Sequence, residues 1–413
     1  MKKNYRITRI LFLLPLFFLS NLSFSQTIGF NIASGKKKVE IPFESFNNLI
    51  VIPVVINNSF PVKFVVDTGV RTAILTERAV SDALDLKYTR TIKLVGAAGG
   101  EGVEAHIVPN ISINLPGVTG RGQALLVLEK DYLSLSSNLG TEVHGIIGHE
   151  IFSRFVVEID YMKNILTLHE PQSFKPRKRF TAIPIKVEDT KPYITATVVQ
   201  KDGCKVESKL LIDTGASHSL LIHSSSHRDL SLPEATITTT LGKGLGGNII
   251  GEVGRIERLE IRDFVFNNLV ASFPERDTYR DIIAETKRQG TIGGGLTNRF
   301  TVIFDYFNQK VYFMKNSEYR RKFNYNMSGI DLISGGKEYN DFIVSELIKD
   351  SAAEIAGIKV GDKIISINGI WKENLTLSQI NHLFRSKEKK RIKMRILRNG
   401  EIIKKSFRLK SLI

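Results

Sequence analysis

Asp-Thr-Gly occurs twice in the chain, at Asp67-Thr68-Gly69 and Asp213-Thr214-Gly215, each time closing an apolar strand-like run, Phe64-Val65-Val66 and Leu210-Leu211-Ile212. Two carboxyl groups held within hydrogen-bond distance cannot both ionise, so such a pair keeps one proton and can hold one water. The ionised member draws a proton from the water while the protonated member polarises a carbonyl. Both must face the same water, which two copies of one lobe about a pseudo-twofold axis provide. The glycine of each triplet allows close backbone approach and offers its N–H to a carboxylate oxygen. Each threonine hydroxyl can tie the two loops together.

The surroundings of the triplets repeat as well. Gly148 of His144-Gly145-Ile146-Ile147-Gly148 precedes Gly293 of Gly290-Thr291-Ile292-Gly293 by 145 residues. At the same offset, Arg154-Phe155-Val156-Val157-Glu158-Ile159-Asp160-Tyr161 matches Arg299-Phe300-Thr301-Val302-Ile303-Phe304-Asp305-Tyr306, and the two triplet aspartates lie 146 apart. Asn164 to Leu168 is echoed by Gln309 to Phe313. One indel reconciles the copies, so the chain contains a duplicated β-rich unit.

The elements that must deliver the carboxylates follow from alternation and turn residues. Lys38 to Phe43 and Leu49 to Ile56 read as strands that lead through Asn57-Asn58-Ser59-Phe60-Pro61 into the Asp67 strand. In the second copy Tyr193 to Val199, the turn Lys201-Asp202-Gly203 and Ser208 to Ile212 do the same. Glycine-rich hairpin tips, Gly96 to Gly102 and Gly242 to Gly247, follow each triplet at similar distance and suit flaps closing over an extended peptide, with Gly99, Gly100, Gly246 and Gly247 as substrate contacts. The Pro171 to Arg179 stretch has the prolines and charges of a linker. Lobe one is placed at 26–172, lobe two at 173–322, and a third unit at 323–413.

The third unit carries Ser328-Gly329-Ile330-Asp331-Leu332, a strand from Phe342 to Ser345, and the run Asp350 to Gly369 with Ala356-Gly357-Ile358-Lys359-Val360-Gly361-Asp362 at its centre. A helix over Leu377 to Phe384 and a strand over Arg391 to Leu397 complete the pattern. It resembles a PDZ domain of the kind found in bacterial envelope proteases. The resemblance implies a peptide groove between the strand after Gly329 and the later helix, with Ser328, Gly329, Ile330 and Leu332 at the ligand. There a chain end or exposed strand would add by β-augmentation. Ser328 stands where an apolar residue is usual.

Residues 40–315 are similar to a retropepsin-type aspartic protease in tandem, single-chain form, as in pepsin-like architecture. The fold class expected is therefore mainly β: a two-lobed, pseudo-twofold aspartic-protease fold followed by an α+β PDZ domain. The resemblance puts Asp67 and Asp213 on the catalytic aspartates, Thr68 and Thr214 on the bracing threonines, Gly69 and Gly215 on the amide-donating glycines, and Ile147-Gly148 and Ile292-Gly293 on the element beneath each catalytic loop. Val70 and Ala216 follow the triplets, so neither side carries the hydroxyl that pepsins place there. Fewer donors leave the dyad less acidic, and the expected pH optimum is nearer neutral than pepsin's. Arg71, where lobe two has Ser217, either lines the cleft and holds an acidic side chain or peptide carboxylate, or forms a surface or inter-lobe pair. No flap tyrosine of the pepsin sort is visible.

Other chemistries find less support. Gly242 to Gly247 matches Gly-x-Gly-x-x-Gly, but Asn248 to Ile261 reads as strand and no βαβ unit surrounds it. His149-Glu150 lacks the second histidine of a zinc-protease helix. His218, His223 and His227 could hold a metal on a helix, against a simpler reading as a polar, solvated segment. Tyr161 and Tyr306 read as turn and core residues. No metal and no cofactor is expected.

Composition is ordinary for a globular chain of 413 residues, 42% apolar and 24% charged. The amino terminus differs: Lys2, Lys3, Arg6 and Arg9 precede the apolar run Ile10 to Leu19, and Ser23 and Ser25 flank Phe24 before Gln26. That is the pattern of a secretory signal peptide over 1–25, cleaved after Ser25, with an uncleaved anchor as the alternative. Export to the periplasm or the surface of a bacterium follows, without a membrane span in the mature chain. The single cysteine, Cys204, leaves no intramolecular disulfide to form. Losing the four signal-peptide basic residues lowers the formal charge from +16 to +12. The remaining basic residues are scattered, with no nucleic-acid motif.

The functional expectation is an exported endopeptidase, active as a monomer, whose partners are a peptide or protein substrate and a peptide ligand of the PDZ domain. The competing expectation is a catalytically inert peptide-binding or scaffold protein of the cell envelope that retains the protease fold.

Overall fold

β-Branched and aromatic residues alternate with polar ones along most of the chain, and strands dominate the computed structural model, which describes residues 28–33, 35–96 and 99–413. The signal-peptide expectation lies outside the described residues. Lobe one is a nine-stranded sheet whose central strands are Leu49–Ile56, Pro61–Val66 and Gly145–Ile147. Lobe two repeats it as an eight-stranded sheet around Lys191–Val199, Lys205–Ile212 and Gly290–Ile292.

A third, six-stranded sheet joins the lobes from below. At its centre the repeated segments pair with each other, Val156–Asp160 running antiparallel to Phe300–Asp305. Val157 faces Phe304 and Ile159 faces Val302, while Glu158 faces Ile303, its own counterpart 145 residues on. The pseudo-twofold axis therefore passes through the Glu158–Ile303 pair. Phe152, Phe155, Phe300, Phe304 and Phe313 are fully buried around this sheet, fusing both lobes into one core.

The third unit has its own core, including Ile330, Phe342, Ile364, Ile380, Phe384 and Ile396. Its sheet runs Ile330–Gly335, Asp341–Leu347, Lys363–Ile367, Arg391–Arg398 and Glu401–Arg408 in spatial order, which leaves Ile330–Gly335 as an edge. The Gly361-Asp362 signature is explained locally. Asp362 accepts the Lys359 N–H at 2.8 Å and holds Arg398 through both carboxylate oxygens at 2.6 and 2.7 Å. The helix Leu377–Phe384 starts in a capping box built by Thr376 and Gln379.

Candidate active site

Each aspartate sits one residue beyond a central strand and is held there by a parallel neighbour. Pro61–Val66 pairs with Gly145–Ile147, and the Asp67 N–H donates to the Ile147 carbonyl at 2.9 Å. Lys205–Ile212 pairs with Gly290–Ile292, and the Asp213 N–H donates to the Ile292 carbonyl at 2.8 Å. The chain then turns so tightly that a methyl group on Gly148 would collide with the Asp67 carbonyl oxygen. A methyl on Gly293 would collide with the His218 carbonyl in the same way. No residue with a Cβ fits either site, which accounts for the apolar-Gly pattern in both copies.

The threonines lock the two loops together in a reciprocal brace. Thr68 N–H donates to Thr214 Oγ1 and Thr214 N–H to Thr68 Oγ1, both at 3.1 Å. The Thr68 hydroxyl donates to the Ile212 carbonyl at 2.7 Å, and the Thr214 hydroxyl to the Val66 carbonyl at 2.8 Å. Both threonines are buried, so these four bonds form away from solvent. The Gly69 N–H donates to Asp67 Oδ1 at 2.6 Å and the Gly215 N–H to Asp213 Oδ1 at 2.9 Å.

This brace brings the carboxyl groups into one partly exposed site. They share a hydrogen bond, and burial, the Asp213 charge and that bond hold Asp67 well above the ordinary carboxylate range, against the Gly69 N–H and Lys191, which pull it down. The pair thus keeps a proton, the state that water activation requires. Beneath them the Tyr306 hydroxyl is buried without a hydrogen-bond partner, and burial together with both aspartates raises its pKa. Its counterpart Tyr161 meets Thr297 Oγ1 at 3.1 Å, and burial pushes it up to about 12.

The two glycine-rich tips belong to long hairpins, Arg90–Gly96 with Gly99–Leu115 and Thr236–Gly244 with Gly247–Ile261. They meet each other: a methyl on Gly96 would lie 3.2 Å from Leu245 Cβ, and one on Gly100 3.4 Å from Gly246 Cα. Leu245 and Val70, the residue after the first triplet, pack against the same two apolar clusters. Gly99 and Gly246 sit at this junction, whereas Gly247 has open space around it.

Arg71 and Ser217 make equivalent inter-lobe contacts, Arg71 through its side chain and Ser217 through its backbone carbonyl. The Arg71 guanidinium pairs with Asp189 of lobe two. On the other side Asn48 Nδ2 donates to the Ser217 carbonyl at 2.8 Å. The partners come from equivalent turns, Asn47-Asn48 and Asp189-Thr190, all four residues in the left-handed region. Of the two readings of Arg71, the structure has the inter-lobe pair.

Several groups near the aspartates escaped sequence reasoning. Glu150 accepts the Ala73 N–H at 2.6 Å and so pins the chain after the first triplet, and burial raises its pKa. His218 and His223 do not form a solvated helical segment. They flank the strand Leu220–Ile222, and His223 is 2% exposed. Burial lowers His218 to about 4 and His223 to about 3, so both are neutral imidazoles. Arg288 adds to the lowering of both, and the Tyr279 ring lies 4.6 Å from that of His223. Among the described residues no cluster of His, Cys, Asp and Glu could hold a metal ion, and no helix is long and apolar enough to cross a membrane.

In the third unit the ligand residues inferred from resemblance are buried, and groups of Ser328, Gly329 and Ile330 are hydrogen-bonded within the unit. Ser328 N–H donates to Asn326 Oδ1 at 3.0 Å, and Ile330 N–H donates to Ser328 Oγ at 3.0 Å. The Gly329 carbonyl accepts the Ile348 N–H at 2.9 Å, and Ile330 and Leu332 point into the core. The hydroxyl of Ser328, the departure noted in the sequence, thus accepts the Ile330 N–H and donates to Asn326 Oδ1 at 2.7 Å. The aspartyl protease family model matches residues 52–151 and again 194–294, and the PDZ domain model matches residues 325–397. No curated protein matches the chain.

Proposed function

From a chain that carries the aspartyl protease fold in two segments and a PDZ domain behind them, we propose an endopeptidase in which Asp67 and Asp213 activate water. The observation that carries this reading is the reciprocal threonine brace, which sets the two carboxyl groups against each other, and the raised pKa of Asp67 supports a shared proton. The ionised carboxylate takes a proton from water as its oxygen bonds the peptide carbonyl carbon. The protonated carboxyl gives its proton to the carbonyl oxygen. Collapse of the tetrahedral species breaks the C–N bond, with the nitrogen leaving as the amine after gaining a proton from the dyad. No covalent enzyme intermediate forms.

The meeting of the hairpin tips supports a cleft that opens to admit an extended peptide and then excludes water. The boundaries 26–172, 173–322 and 323–413, action as a monomer, and export to a bacterial periplasm or surface belong to the same proposal, the last resting on the amino-terminal pattern. The PDZ domain binds peptide, and we assign it substrate recruitment or regulation. The test is cleavage of an unbiased peptide library by the mature chain across pH, beside Asp67→Asn and Asp213→Asn. Cleavage lost in both variants is expected. A folded wild type that binds peptides and cuts none would replace this reading with the inert peptide-binding one.

A further inference from the structure

The duplication allows the two walls beside the dyad to be compared residue by residue. In lobe one Leu49, Val51, Val65, Val143 and Ile146 form one apolar cluster, all under 10% exposed. The register fixes their counterparts. Val51 faces Val65 as Tyr193 faces Leu211, and Ile146 pairs Val65 as Thr291 pairs Leu211. Leu49 closes its hairpin opposite Phe46 as Lys191 does opposite Glu188. His144 N–H bonds the Lys63 carbonyl as Gln289 N–H bonds that of Lys209, which equates Val143 with Arg288.

The second wall is therefore Lys191, Tyr193, Leu211, Arg288 and Thr291, with two cations where lobe one has leucine and valine. Lys191 is 25% exposed and lies within electrostatic range of Asp67, Arg71 and Arg288. It shares Asp189 with Arg71, at 3.4 Å. Arg288 is 5% exposed, its Nε is buried without a partner, and its guanidinium lies near the Tyr193 hydroxyl. Among the described residues it forms no ion pair. The exposed Glu285 acts at range on Lys191. A buried guanidinium without a counter-ion is costly, and the cost is relieved when an anion enters beside it.

We propose that the lobe-two wall, through Arg288 and Lys191, takes an acidic side chain at one of the two substrate positions flanking the scissile bond, with an apolar side chain against the lobe-one wall at the other. The inference rests on the peptidase reading for its placement, and it assigns the substrate class to that site. A carboxylate reaching the guanidinium makes charge-assisted bonds that its amide isostere cannot match. Arg71, already paired across the lobes, tunes Lys191 by competing for Asp189.

The experiment compares peptides that differ only by Glu against Gln at each flanking position, with the full mature chain, Arg288→Met and Lys191→Met. The expected result is kcat/KM for Glu at one position higher by roughly tenfold or more, as for other buried charge-recognition sites. Arg288→Met brings the Glu and Gln peptides to the same value, and Lys191→Met narrows the gap should the arginine variant not fold. Cleavage with equal values for Glu and Gln at both positions overturns the inference and leaves the peptidase reading intact. If a folded wild type cuts nothing, fluorescence anisotropy with the same peptides decides. Preferential Glu binding that Arg288→Met abolishes upholds the acidic subsite while the peptidase reading falls, and equal affinities overturn both.

Discussion

Asp67 concentrates the electrostatics of the site. Its folded-state pKa is raised, chiefly by burial and by Asp213, above the roughly 3.9 of an unfolded aspartate. A carboxyl that binds its proton more tightly when folded contributes stability fully present below the unfolded pKa and lost as pH rises through the folded one. At pH 7 the group therefore costs stability, and Asp67→Asn should raise Tm there, with the gain shrinking as pH falls toward 4. Equal gains at both pH values would contradict this assignment of the proton. The same proton sets the activity profile: kcat/KM should be bell-shaped, with its alkaline limb marking loss of the shared proton and its maximum above about pH 4. A maximum below that value would mean that the donors to the dyad outweigh its burial. Asp67 and Asp213 were legible in the sequence because the triplet and its spacing repeat. Glu150, His223 and Arg288 were not, since their roles depend on burial and on partners brought in from distant strands.

At the level of elements, the site is a pair of strand ends clamped by glycines and threonines. Thr68→Val keeps the shape of the side chain but removes a donor to the Ile212 carbonyl and an acceptor for the Thr214 N–H, both buried. Each unsatisfied group costs about 1–3 kcal/mol, so urea unfolding should show a loss of roughly 2–6 kcal/mol. Adding Thr214→Val should cost less than twice as much, because the four bonds form one network across the two loops, and releasing one hydroxyl loosens the pair that remains. Full additivity would show the loops to be braced independently. The strands were legible from alternation, and their duplication from the 145-residue offset. The sequence could not show that Val156–Asp160 pairs with its own repeat, Phe300–Asp305, because a strand's partner is set by the assembled sheet. Nor could it show how Arg154 and Arg299 have diverged. Arg154 forks onto Glu170 at 2.9 and 3.0 Å, whereas Arg299 lies over the Phe323 ring at 3.6 Å and donates to the carbonyls of the segment leading to the PDZ unit. One repeated arginine has become the clasp for the third domain.

At the scale of the whole molecule, the PDZ unit is fastened to both lobes. Glu346 accepts from Thr239 Oγ1 at 3.1 Å and from the Thr240 N–H at 3.2 Å, on the hairpin that carries the lobe-two tip. Arg255 donates to the Phe323 carbonyl at 3.0 Å. Lobe one reaches in with Gly140, where a methyl group would lie 2.7 Å from Leu377 Cβ and 3.1 Å from Ser334 Oγ. Those two residues belong to the helix and the edge strand that border the expected peptide groove, so a peptide adding to Ile330–Gly335 meets lobe one at that end. Gly140 closes the helix Leu135–Leu139, and Leu139 packs with Leu133 against Val65, two residues before Asp67. Displacing this segment from the PDZ edge therefore loosens packing on the strand that delivers the first aspartate. Gly140→Leu, at a φ of +71° and with no room for a side chain, should lift it. Hydrogen exchange on the full chain should then quicken in Leu133–Leu139 and Ile330–Gly335 together, while Arg391–Arg398 on the far side of the PDZ sheet stays protected. Faster exchange confined to Leu133–Leu139 would mean that the PDZ edge is not held by lobe one, and that its ligand is free to bind without touching the protease.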